Sequence, residues 1–179
     1  MKKTALIFFL FISSLGYSQL SNKVQLKNAL VVAQLDKPED RFTMEINLTE
    51  MLAEYGIKAK SSLNILKQGQ DIEELAGDSI INSLKNQGFD TYVLVSVRGY
   101  DKTFKPAKNH LDLKGELAVG HMFPLYRDDI SSVSFEFLFF RDGKIIGYDL
   151  VKVPGVSSRD TVMKKFRKKI AKRIATWKY

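Results

Sequence analysis

The chain has 179 residues, no cysteine and a net charge of +8, from 28 basic and 20 acidic side chains. Without cysteine there is no disulfide framework, no thiol nucleophile, no thiolate zinc site and no lipid attached through a cysteine. Sites for a cofactor, a metal or a nucleic acid are not expected either. No phosphate-loop, dinucleotide or nucleophile-elbow pattern occurs in the sequence.

The first eighteen residues read as a cleavable signal peptide. Lys2 and Lys3 form a positive start, Ala5 to Ile12 an apolar run of eight, and Gly16 and Ser18 the small residues of a cleavage site before Gln19. The run is far short of the roughly 20 residues that cross a bilayer. Residues 19–179 then form one domain of 161 residues, with no later membrane span.

Ala29 to Leu35 (ALVVAQL) is continuous and apolar, as a strand covered on both faces should be. Asp36, Pro38 and Glu39 follow in the spacing of a helix start. Met44, Leu48, Met51, Leu52 and Tyr55 recur at helical spacing until Gly56 stops the helix. The Asn47-Leu48-Thr49 sequon falls inside that helix. Ile57 to Leu66 reads as a second strand, and Ile72 to Leu84 as a second helix closed by Gly88. Thr91 to Val97 (TYVLVSV) is a central strand. The β-α-β-α-β order implies two right-handed crossovers.

Residues 99–132 are irregular, with a further strand expected over Leu111 to Val119. Val133 to Phe140 and Lys144 to Val153 form a hairpin about Asp142-Gly143. Phe135, Phe137 and Phe139 share one face by alternation and are expected in the core. A stacking platform, or the wall of an apolar ligand cavity, is the alternative use of such a stripe. Ser157 and Asp160 have the spacing of a capping box at the start of a last helix. The predicted fold is therefore α/β (α+β), a single mixed sheet with a terminal helix.

His110 and His121, the only histidines, lie in the irregular segment near Asp112, Asp128 and Asp129. A small enzyme could be built from either histidine and a carboxylate of that segment. Their spacing matches no metal motif, so they read as exposed loop residues. The adjacent acids Glu73-Glu74 and Asp128-Asp129 do not by adjacency make a catalytic pair.

The last helix carries the strongest signal. Ser157 to Tyr179 holds nine basic residues and one acid, whereas residues 19–156 carry 17 basic and 19 acidic ones. Val162, Met163, Phe166, Ile170, Ile174 and Trp177 form its apolar stripe. Lys164, Lys165, Arg167, Lys168, Lys169, Lys172 and Arg173 fill the other arc and are the candidate binding residues for an anionic surface or partner.

ALVVAQL, the helix from Arg41 to Gly56, NQGFDTYVLVSV, and the late hairpin with its terminal helix together resemble a group of small bacterial envelope domains. These include the N-terminal domain of the Tol system protein TolB, the lipoprotein activators of penicillin-binding proteins, and the curli secretion lipoprotein. The resemblance implies a noncatalytic, protein-binding role at the envelope and carries no functional residue across. The lipoproteins of that group are anchored through a cysteine that this chain lacks. The expected location is the periplasm, with the extracellular space as the alternative.

Overall fold

A computed structural model describes residues 24–178 apart from 68, 106, 108, 121 and 122. The signal-peptide boundary and His121 fall outside the described residues. The chain runs β1 (Asn28–Gln34), α1 (Pro38–Glu54), β2 (Lys58–Ser61), α2 (Asp78–Asn86), β3 (Thr91–Tyr100), α3 (Leu113–Val119), β4 (Ser132–Arg141), β5 (Lys144–Pro154) and α4 (Arg159–Trp177). The strands form one mixed sheet in the order β2-β1-β3-β4-β5. β1 is parallel to both β2 and β3, while β3, β4 and β5 are antiparallel neighbours.

The apolar runs explain the layering. β1 and β3 lie inside the sheet with both faces covered, so neither shows a polar alternation. Val31 pairs with Val93, and Ala33 with Val95. Val95 in turn pairs with Phe137. These residues meet α1 through Met44, Leu48 and Leu52, and α4 through Phe166, Ile170, Ile174 and Trp177. Phe135 lies 5.0 Å from Phe166, and Trp177 sits between Phe137 at 5.0 Å and Phe139 at 5.1 Å. Each such ring contributes about 1.5–3 kcal/mol by burial. The expected core face is therefore the observed one, and α4 fills the space between its phenylalanines.

The opposite face is closed by α2 and α3. Leu30, Val32, Tyr92, Leu94, Leu138 and Phe140 pack there against Leu84, Phe89, Leu113 and Leu117. Phe140 belongs to this second cluster, beyond an irregularity in the β4–β5 pairing between Phe139 and Phe140. The hairpin turns where expected. Asp142 (φ 51°) and Gly143 (φ 74°) both adopt the positive φ of a two-residue turn matched to sheet twist.

Four local expectations change. The strand expected over 57–66 keeps four residues, because Ser61 accepts from the Leu63 backbone N–H and starts a 3-10 turn over Ser62–Asn64. The helix expected over 72–84 is split by Gly77, whose extended backbone separates a 3-10 turn (Ile72–Ala76) from α2. The segment 111–119 is helical rather than extended. Asp112 accepts from the Gly115 N–H at 2.8 Å, and Leu113 and Leu117 then fall one turn apart on the buried side. Both flanking caps also move by a residue. Lys37, not Asp36, precedes α1, and Ser158, not Ser157, caps α4 by accepting from the Thr161 N–H.

Candidate functional site

The seven cations singled out on the last helix divide by what they touch. Arg167 donates to the Asn47 side chain at 2.5 Å and lies 3.5 Å from Glu50 and 3.9 Å from Glu54. Arg173 pairs with Asp149 at 3.1 Å, and the other oxygen of that carboxylate accepts from the Trp177 indole at 2.9 Å. Lys165 donates to the carbonyls of Pro154 and Gly155. Arg159, at the start of α4, forks onto Asp40 and Thr43 of α1. These groups fasten α4 to its neighbours.

Lys164, Lys168, Lys169 and Lys172 do none of this. All four are exposed, and none makes a hydrogen bond or ion pair among the described residues. At about 100° per residue they share an arc of about 140°, and they span about 12 Å along the axis. Lys164, Lys168 and Lys172 stand one turn apart, so each neighbouring pair costs about 0.2–0.5 kcal/mol by repulsion. The apolar stripe behind them is sealed: Val162, Phe166, Ile170 and Ile174 are 0% exposed. Both arginines, with planar forks suited to paired contacts, serve the fold together with Lys165, and the other four lysines face outward.

A second polar group lies under α3. On that face of the sheet the apolar residues give way, toward the carboxyl ends of β1 and β3, to Gln34, Ser96, Ser134 and Glu136. Gln34 is opposite Ser96, and Ser96 is opposite Glu136. This is where the connections of an open sheet diverge, the place where such sheets bind ligands. The pairing of β3 with β4 is irregular between Val97 and Gly99, which places Arg98 at a bulge. Gly99 (φ 156°) is packed by the Phe104 ring so closely that a Cβ would stand 2.3 Å from it.

His110 lies between α3 and β5. Its side chain is only 7% exposed, so it is not the exposed loop residue expected from sequence. Its ring is 5.6 Å from Tyr148 of β5, and its Nδ1 is 3.7 Å from Glu116 Oε1. The carboxylate near it is thus Glu116, with Asp112 committed to capping α3. Glu116 Oε1 also accepts from the Leu111 N–H, and its carbonyl accepts from the Gln34 amide at 2.9 Å. Glu116 therefore rests on β1 at Gln34, in register with Ser96 and Glu136, and His110 on β5 at Tyr148, in register with Leu94 and Leu138. Arg98, Glu116 and Glu136 escape a reading by motif. Their signal is a charge inside or beside an apolar run, as in SVSFEFLFF.

No protein-family model matches the chain, and no curated protein matches it. Among solved structures the chain is similar to the PelC dodecamer from Paraburkholderia phytofirmans, at 12% identity over 89% of this chain and 90% of that one, with a TM-score of 0.46. A variant of that PelC in another crystal form gives 12% identity, 87% and 90% coverage and a TM-score of 0.48. The lipoprotein GNA1162 from Neisseria meningitidis is similar at 12% identity over 83% of this chain and 96% of that one, with a TM-score of 0.48.

Proposed function

We propose that the chain is an exported, noncatalytic envelope protein that docks on an anionic lipid surface through the outer face of α4. The signal-peptide pattern of residues 1–18 supports export, and the periplasm is the compartment this reading assigns. One observation carries the docking surface. Lys164, Lys168, Lys169 and Lys172 project together without a counter-charge, from a helix whose apolar stripe is already used by the sheet. Such a helix binds by charge and does not insert.

Near an anionic bilayer each lysine contributes on the order of 1 kcal/mol. Four of them give about 4 kcal/mol, an affinity near the millimolar range for one copy and readily reversed. The test compares the wild-type chain with a variant carrying Lys→Glu at 164, 168, 169 and 172. Co-sedimentation with phosphatidylglycerol vesicles at low salt is expected for the wild type and lost in the variant, with unchanged circular dichroism. Equal sedimentation of both proteins refutes the proposal. Wild-type chain that ignores vesicles but is retained by an envelope protein would place the partner among proteins instead.

A further inference from the structure

The two edges of the sheet are guarded differently. β2 is four residues long, carries Lys58 and Lys60, and runs straight into the 3-10 turn that begins at Ser62. A short, charged edge of that kind offers little to a further strand. β5 is eleven residues long, and its lysines and proline stand toward its ends, at Lys144, Lys152 and Pro154. Between them Ile145, Ile146, Tyr148 and Leu150 are half-buried. The direction of the backbone follows from the register. The Asp101 N–H donates to the Ser132 carbonyl, so even-numbered residues of β4 face β3 and odd-numbered ones face β5. Phe135 and Phe137 then bond Val151 and Asp149, and Tyr148, Leu150 and Lys152 turn their backbone groups outward. Nothing among the described residues takes those groups up.

We propose that this edge pairs with the β5 edge of a second copy, antiparallel about a two-fold axis through Leu150, joining two five-stranded sheets into one. The sequence of β5 is self-complementary about that residue. A strand that meets its own copy in this way must set one residue opposite itself, because the pleats have to match. Centred on Leu150, Tyr148 faces the partner's Lys152 and Asp149 faces the partner's Val151, and no like charges meet. Centred on Asp149, two carboxylates would meet, and centred on Tyr148, Lys144 would meet the partner's Lys152. Centred on Gly147, the pairing would cross the irregularity at Ile146. Centred on Val151, Pro154, which has no N–H, would leave the carbonyl of the partner's Tyr148 unbonded. The pairing does not depend on lipid docking, but it serves that reading. The axis stands normal to the sheet, so both α4 helices lie on one face and present their lysine arcs to the same surface. Repulsion between the arcs and a small contact area make the dimer weak and reversible.

Light scattering on the mature chain in lipid-free buffer tests this, at about 0.15 M salt so that repulsion between the arcs is screened. The mass is expected to rise from monomer toward dimer as the concentration approaches about 1 mM. Leu150→Lys sets two ammonium groups opposite each other and should weaken the dimer about tenfold or more, with cooperative melting retained at this edge position. The chain has no cysteine of its own, so Leu150→Cys carries a single thiol. Residues opposed in this way lie about 5.5 Å apart at Cα, within disulfide reach. Mild oxidation should therefore cross-link Leu150→Cys about tenfold faster or more than Lys144→Cys, which is exposed but outside the paired span. A monomeric mass at the highest concentration overturns the proposal. So does a dimer that Leu150→Lys leaves unchanged, or cross-linking no faster at 150 than at 144. If Leu150→Lys fails to fold, the cross-linking comparison decides. No lipid is present, so a failure of vesicle docking leaves this result standing.

Discussion

Replacing Lys168 by Glu separates what the outer face of α4 does for the fold from what it does for binding. Lys164 and Lys172 stand one turn to either side of Lys168, and all three are exposed and free of counter-charges among the described residues. Each like-charged pair costs about 0.2–0.5 kcal/mol and an opposite pair returns about as much, so each pair swings by about 0.4–1 kcal/mol. Two pairs, screened by water at a fully wet surface, leave a gain of about 1 kcal/mol at low salt. The site is mid-helix in α4 (Arg159–Trp177), beyond reach of the helix dipole's ends. For a chain of this size the gain raises Tm by about 2–4 °C. The same change replaces one positive charge by a negative one, removing about 2 kcal/mol of attraction to an anionic bilayer, roughly thirtyfold in affinity. Thermal unfolding by circular dichroism at low and high salt reads the first effect, and vesicle co-sedimentation the second. A lower Tm for Lys168→Glu, with the loss unaffected by salt, would refute the reasoning, because it would mean that Lys168 serves the fold.

Other expectations test the interior. Glu45 is 0% exposed and accepts from the Ala33 N–H at 3.0 Å, Arg41 at 3.1 Å, Ser61 at 2.6 Å and Ser62 at 2.8 Å, tying β1, α1 and β2 together. Glu45→Ala should cost about 3–5 kcal/mol in chemical denaturation, because several buried donors lose their acceptor at once. A loss below about 1 kcal/mol would show that these donors find other partners. Val95, 1% exposed between Ala33 and Phe137, tolerates no charge. Val95→Asp should abolish cooperative melting, and a soluble variant with a normal transition would contradict its placement. Burial pushes the hydroxyls of Tyr92 and Tyr100 up to about 12, the nearby Arg127 opposing this at Tyr100. Their folded values exceed the unfolded value of about 10, so the stability they supply is complete below pH about 10 and falls as the pH rises toward 12. Ultraviolet titration should show two tyrosines ionising late, and normal ionisation of all the tyrosines would contradict that burial.

What the sequence made legible follows from how strongly each segment is constrained. Unbroken apolar runs such as VLV at 93–95 leave no exposed face, so the central strands are plain. The alternation of Phe135, Phe137 and Phe139 and the Asp142-Gly143 turn have one sensible reading each. The segment 111–119 was ambiguous because Leu111, Leu113, Leu117 and Val119 suit either period. Asp112 and the docking of Leu113 and Leu117 under the sheet decide for the helix. The strand over 57–66 is cut short by a tertiary cause, the turning of Ser61 and Ser62 toward Glu45, which comes from a distant helix. The basic arc of α4 was legible as a set of seven cations. Its division into three that hold the fold and four that face outward depends on acids and carbonyls far away in sequence. The group under α3 was the least legible. His110 reads as a loop residue, and only the tertiary fold buries it beside Glu116 and against Tyr148.

The docking claim is tested most directly by a binding isotherm of the mature chain on vesicles with and without phosphatidylglycerol, taken across a salt series. Binding is expected only to the anionic vesicles, strongest at low salt and weakening steadily as salt shortens the reach of the lysine charges. Binding that is equal on neutral vesicles, insensitive to salt, or absent at the lowest salt would contradict the account.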